Sequence, residues 1–421
     1  MRISTSMIYD AGVGSINRQT AQMLHLQQQV ASGRRILTAS DDPVAAARAL
    51  EVQQAKDVTD QYGTNQSNAK SALGLEEAQL GSATDMFGRL HELAVTAGNS
   101  TLSASNRKGI AVELRARFEE MMGLANSTDG TGQYQFSGYM GSTKPFGGNV
   151  DALVNGTTPD VTYSGDDGQR TLQVAATRHL EVSDAGTDVF MRIKNGNGQF
   201  TTNYAAGNTG TGIADAGSVT NPAAWVAPSS GAYTIQFSVA AGVTTYQIYD
   251  GATALLAAPA TYNSGQPIAL QKTTAPPADF GASVTISGSP AAGDSFSVAP
   301  SSSQSVFKTI AKLIGTLEST VVSAADQAKY SADIRSALTN LGQAQENILA
   351  VRAAVGSRLN ELDSLSSLNT DLDLQYQQTL SKLQDLDYAQ AITDLTRKQV
   401  DLEAAQKSFA MTTKLSLFDY L

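Results

Sequence analysis

Cysteine is absent from the 421 residues, which excludes disulfides, thiolate metal sites and a cysteine nucleophile. Positive charge is also scarce. The 29 Lys and Arg stand against 39 Asp and Glu, and a net charge of −10 lacks the basic footprint that nucleic acid requires. Lys and Arg do not cluster in the way that would hold an anionic membrane. No apolar run approaches the roughly 18–20 residues of a membrane span. The opening MRISTSMIYDAGVGSINRQ has no continuous apolar core of a secretory signal, so export is expected to use a route without a cleaved signal.

The usual signatures of catalysis and cofactor binding are missing too. There is no GxSxG, no Walker loop and no HExxH, and Gly12-Val13-Gly14 follows no strand and lacks a third glycine. His25, His91 and His179 lie far apart, without a ligand at metal spacing, and are expected on surfaces or in grooves. No cofactor or metal is expected.

What is present divides the chain into zones. Residues 1–140 and 304–421 are rich in Ala, Gln, Leu and charge. Residues 196–300 hold only five charged side chains and eight of the 11 prolines. Helix breakers so concentrated predict a β-rich insertion between two helical flanks, an α+β fold with its N- and C-terminal segments paired as a coiled-coil or bundle rod. The expected division is terminal helices at 1–40 and 385–421, a helical rod at 41–148 and 303–384, and a β-rich outer domain at 149–302.

The flanks carry helical stripes. Ala55, Val58, Tyr62, Ala69, Leu73, Leu80, Ala83, Phe87, Leu90, Ala94 and Ala97 step mostly by three, four or seven, which calls for a partner helix. Ala111 to Ala125 carries a shorter stripe that ends in the turn residues of NSTDGTG. Ile334, Leu338, Leu341, Ile348, Val355, Leu359 and Leu362 repeat the pattern, and Tyr388, Ile392, Leu395, Leu402, Ala405 and Phe409 form a last one. Within the insertion, YTIQFSV and VTTYQIY alternate with period two around a three-residue link at 240–242. ASVTISG and DSFSVAP suggest two further strands. DVTYSGDDGQRTLQVAA reads as a hairpin turning at 165–168, and 205–224 and 251–265 read as loops.

Two carboxylate pairs invite a catalytic reading, and both are better explained as turns. In LTASDDPVAAARAL, Pro43 suits the first position of a helix, where a missing N–H costs nothing. Asp42 is then the N-cap, and Ser40 and Asp41 are expected to share the remaining free N–H groups. Asp166 and Asp167 sit in a glycine-bounded turn that lacks the further oxygen ligands of a calcium loop.

The chain ends are the informative part. Val13, Ile16, Thr20, Met23, Leu26 and Val30 form a narrow apolar stripe bounded by glutamines and Arg18. A lone helix of this length is marginal, and Gly12 and Gly14 weaken it by about 1 kcal/mol each relative to Ala. Such ends pack on each other or on other subunits. They are expected to be mobile in the monomer and to order on assembly.

Three segments resemble the flagellin superfamily, and within it the hook–filament junction branch. They are the first fifty residues with their SGRRI…SDDP run, LANSTDGTGQYQFSGYMGSTKPF, and the ending LTRKQVDLEAAQKSFAMTTKLSLFDYL. The insertion is only weakly similar, through YSGDDGQRTLQV and VSDAGTDVF. The resemblance implies a non-catalytic structural protein, exported unfolded through the flagellar type III apparatus with a cytoplasmic chaperone at its C-terminal helix. It implies a homo-oligomeric ring beyond a first junction protein, from which flagellin grows, placing the protein outside the cell on the flagellum. The terminal helices would form an inner tube and the insertion would face outward.

On that resemblance Asp41, Asp42 and Pro43 form the turn from terminal helix to rod. Val13, Ile16, Met23, Leu26, Val30, Leu395, Leu402, Phe409, Leu415, Leu417 and Phe418 are the expected subunit and chaperone contacts. Three alternatives stand beside this reading: a flagellin filament subunit, a surface adhesin carried by the outer domain, and a carboxylate hydrolase using Asp166 or Asp167.

Overall fold

The structure, a computed structural model, describes residues 5–414. Seven α-helices are present among them: α1 (Thr5–Ser32), α2 (Pro43–Ala97), α3 (Ala104–Ala125), α4 (Val150–Val154), α5 (Val306–Glu318), α6 (Ala324–Gln384) and α7 (Tyr388–Lys414). Between α3 and α5 the chain is mostly β. The main strands there are β1 (Phe146–Gly147), β2 (Thr162–Tyr163), β3 (Thr171–Ala175), β4 (Arg178–Glu181), β5 (Ile193–Lys194), β6 (Phe200–Tyr204), β7 (Ile213–Ala214), β8 (Ser218–Val219), β9 (Tyr233–Ala240), β10 (Val243–Asp250), β11 (Thr253–Ala254), β12 (Ala260–Thr261), β13 (Pro267–Lys272), β14 (Ala278–Ser287) and β15 (Ser295–Pro300). The chain divides into two compact units, Met1–Gln66 with Asp363–Leu421, and Ser67–Leu362.

In the second unit, α2 buries Ala69, Leu73, Glu76, Leu80, Ala83, Phe87, Leu90, Ala94 and Ala97, an alternation of four and three that defines a coiled-coil seam. Its partner α6 answers with Ile334, Leu341, Ile348 and Val355 at steps of seven. The pairing is antiparallel. Tyr330 donates its hydroxyl to the Ala97 carbonyl at 2.7 Å, and Arg352 meets Glu77 at 2.6 Å. The first of these contacts satisfies a carbonyl that the end of α2 would otherwise leave free.

Rings from separated segments lock α3 and α5 to the start of the insertion. Phe307 lies 5.5 Å from Phe118 and 5.6 Å from Phe146, and Phe190 lies 5.7 Å from Phe146. Aromatic pairs in this range add roughly 0.5–1.5 kcal/mol each beyond their buried area.

The insertion proper is built on two antiparallel sheets. One runs β11-β10-β9-β15-β6, with β12 also on β10, and the other runs β13-β14-β7, with β8 also on β14. Ile235, Phe237 and Phe296 of the first sheet share one apolar cluster with Leu270, Val284 and Ile286 of the second. Period-two alternation in β9 puts Tyr233, Ile235 and Phe237 inside and Gln236 and Ser238 outside.

Several expectations need correction here. The link between β9 and β10 has two residues, not three: Ala240 pairs with Val243, leaving Ala241 (φ +50°) and Gly242 (φ +78°) as the turn. Positive φ at both positions matches the strand twist of a type I′ hairpin. Residues 162–175 do not form a hairpin. β2 pairs back to β1 and β3 pairs forward to β4. The intervening loop is held instead by Asp166, whose carboxylate accepts the Tyr139 N–H at 2.9 Å and the Gly168 N–H at 2.8 Å. The stretches expected as loops contain β7, β8, β11 and β12, two-residue strands too short to show a period.

Candidate assembly surface

The first unit brings the first and last helices together. α1 packs along α7: Tyr9 and Phe409 have ring centroids 5.1 Å apart, and Lys398 donates to the Gln22 side chain at 3.1 Å. A β-carbon at Gly12 would lie 2.5 Å from the Phe409 ring, so glycine is what admits that ring against the α1 backbone.

Both helices are tied at one place. Gly33, at φ +69°, ends α1, and its carbonyl accepts the Leu386 N–H at 3.0 Å. The Arg35 N–H donates to the Gln384 carbonyl at 2.7 Å, and its guanidinium donates to the Leu383 carbonyl at 2.8 Å. Asp387 caps α7 by accepting the Ala389 and Gln390 N–H groups at 3.0 and 3.1 Å. The turn after α1 and the turn before α7 thus clasp each other.

The aspartates at the start of α2 have separate jobs. Asp42 is the N-cap, accepting the Ala45 N–H at 3.0 Å. Asp41 does not share the helix N–H groups. Its Oδ2 accepts the Leu37 and Thr38 N–H groups at 2.9 and 2.8 Å, and its Oδ1 meets His25 Nε2 at 3.1 Å. The Thr38 N–H is the main cause holding this carboxyl below the usual range. Ser40 is likewise elsewhere, bonded to the Thr38 hydroxyl at 2.7 Å. Pro43 is the first residue of α2, as its ring geometry favours.

Val13, Ile16, Met23, Leu26 and Val30 are half-buried, as are Leu395, Leu402 and Phe409. Leu415, Leu417 and Phe418 lie outside the described residues. Two members of the last stripe, Tyr388 and Ile392, are exposed, and the buried residue of that turn is Ala391. Val58 of the α2 stripe is exposed as well. The residues that sequence reasoning passed over as contacts are the large apolar side chains left in water. Leu24 is 51 % exposed on α1, and Ile392, Val400 and Met411 are 52 %, 61 % and 66 % exposed on α7. Their signal lay in the 392–400 spacing of eight, two i,i+4 steps on a face other than that of Phe409.

The carboxylates of the 165–168 loop serve structure. Asp166 holds its loop as described. Asp167 accepts the Thr187 hydroxyl at 2.6 Å and pairs with Arg192, contacts that pull its carboxyl below the ordinary value. Among the described residues no three His, Asp or Glu side chains converge as a metal site would require, and no helix is long and apolar enough to cross a membrane.

The first and last helices pair, a β-rich insertion lies between the helical flanks, and large apolar side chains of α1 and α7 remain in water, an arrangement suited to assembly with other chains. Residues 3–140 match the bacterial flagellin N-terminal helical region. The flagellar junction protein FlgL from Legionella pneumophila superimposes with a TM-score of 0.69 at 31 % identity, covering 80 % of this chain and 100 % of that one. Flagellar hook-associated protein 3 of Salmonella typhimurium is 26 % identical over 418 residues, 99 % of each chain. Flagellin FlaB1 of Treponema pallidum matches only 140 residues, at 30 % identity, which is 33 % of this chain and 48 % of that protein. The chain belongs to the flagellar hook-associated protein 3 (FlgL) family, whose members are structural proteins of the bacterial flagellum.

Proposed function

We propose that this protein forms a ring at the hook–filament junction, beyond a first junction protein, and offers the surface on which flagellin assembles. Residues 1–40 and 385–421 form the inner tube, 41–148 and 303–384 the rod, and 149–302 the outward domain. It reaches that place through the flagellar export apparatus, with a cytoplasmic chaperone on its C-terminal helix. The observation that carries the reading is the face of α7 bearing Ile392, Val400 and Met411. A helix pair with one face closed by its partner and large apolar groups still in water is an interface awaiting another chain. Full-length similarity to a junction protein, against similarity to a flagellin over a third of this chain, favours a junction role over a filament subunit.

Removing the gene product tests it. Hooks should persist while flagellin escapes into the medium; normal filaments would overturn the proposal. Electron microscopy of the purified protein separates the filament alternative, which requires long self-polymerised fibres. For the adhesin alternative, deleting residues 150–300 should abolish binding and spare motility.

A further inference from the structure

A groove of about 620 Å³ opens in the second unit, walled by α4 and the segment after it, by α5, and by the first turns of α6. That volume is within the range of ligand sites. Its lining is polar, with Thr158, Asn203, Thr316 and Ser336 among the walls, and three lysines face it: Lys308, Lys312 and Lys329. Lys329 is paired with Asp333 at 3.1 Å. Lys308 and Lys312 have no carboxylate at ion-pair distance among the described residues, although the protein carries ten more negative charges than positive ones.

These two lysines lie one turn apart on α5, an i,i+4 like-charge pair that by itself destabilises a helix. Lys312 is exposed by area, yet partial desolvation at the groove wall, and then the neighbouring Lys308 charge, pull its pKa down despite opposing pulls from Asp333 and Asp160. Lys312 is also held in place. Its ammonium donates to the Gln304 side-chain oxygen at 2.8 Å. The Gln304 amide donates to the buried Thr309 hydroxyl at 2.7 Å, and that hydroxyl donates to the Ser305 carbonyl at 3.1 Å. One ammonium hydrogen is thereby used, and two remain free for a ligand.

We infer that this groove binds a ligand carrying two adjacent oxyanion groups, one for each of Lys308 and Lys312. Carboxylates of an acidic peptide segment and the phosphates of a small phosphoanion share that chemistry. The inference is independent of the junction role, because it concerns binding by the isolated chain.

Calorimetric titration of the full chain at low ionic strength, with a tri-glutamate peptide and separately with pyrophosphate, tests it. Saturable binding of at least one probe is expected, weakened tenfold or more in K308Q/K312Q and unchanged in K382Q, which alters an exposed lysine elsewhere. A melting curve of the double variant matching that of the parent shows that folding is intact. Tighter binding of the peptide identifies a protein segment as the ligand, and tighter binding of pyrophosphate a phosphoanion. No saturable binding of either probe, or equal loss in K382Q, overturns the inference.

Discussion

The Phe409 ring lies where a β-carbon on Gly12 would have to be, 2.5 Å from the nearest ring atom. Gly12→Ala therefore has two opposed effects: a gain of about 1 kcal/mol in helix propensity and a clash with a ring in the α1–α7 contact. The clash should win, lowering the stability of the α1–α7 pair by about 1 kcal/mol. In a Phe409→Ala background the same substitution should become stabilising. That reversal of sign, read in a double-mutant cycle, isolates the contact.

Asp42→Ala removes the cap of α2 and should lower stability by about 1 kcal/mol, with Asp42→Asn retaining most of it. Asp41→Ala should act differently, loosening residues 37–38 and leaving the first turn of α2 protected in amide exchange. Equal loss of protection at Ala45 in both variants would contradict the separate roles assigned here.

Glu76 occupies a seam position of α2, where its Oε1 accepts the Asp184 N–H at 3.0 Å. Burial first, and then the nearby Asp184 charge, push its carboxyl up to about 8. The sign follows directly. Between the unfolded value near 4.5 and about 8 the folded state holds a proton that the unfolded state has lost, so stability falls as pH rises through this window and then levels. Glu76→Gln should remove that slope and stabilise the protein by about 2 kcal/mol at pH 8. Urea midpoints from pH 5 to 8.5 measure it.

Arg358 reaches both oxygens of Asp184, at 3.0 and 3.1 Å, with both residues largely buried. Arg358→Ala leaves Asp184 without its cation beside Glu76 and should cost about 3 kcal/mol, far more than loss of an exposed pair. Arg192→Ala, which breaks pairs whose side chains are about half exposed, should change stability by less than about 1 kcal/mol.

Substituting Ile392 and Val400 with Asp alters residues already in water, so the isolated protein should keep its melting temperature within a few degrees. Motility in soft agar should nevertheless fail when this variant replaces the parent. Normal swimming would remove this face from the assembly surface.

The helices were largely legible, because apolar periodicity is a local property of the chain. Even the gaps were informative. The stripe in α2 jumps by seven from Tyr62 to Ala69 and from Leu73 to Leu80, and the skipped positions are Gln66 and Glu76, both buried. A polar residue at a seam register is a sign of a partner, but nothing local names Asp184 as that partner for Glu76. The clasp was hidden for the same reason. Gly33 and Asp387 carry ordinary helix-end signals, whereas the bonds from Arg35 to residues 383–384 join positions almost 350 residues apart. Strands of two residues have no period to read, and the loop at 165–168 is not a hairpin turn because its flanking strands pair with β1 and β4 while Asp166 reaches back to the Tyr139 N–H, a partner that nothing local names.

The sequence alone determined the helical flanks, the β-rich insertion, the cap at Asp42 and the absence of any thiol chemistry, since each follows from residue type and spacing along a short stretch. Only the tertiary structure decided which face of α7 meets α1 and which remains in water, why position 12 admits nothing larger than glycine, and where Asp41 directs its carboxylate. Those outcomes depend on the distance between segments remote in sequence, which residue spacing does not encode.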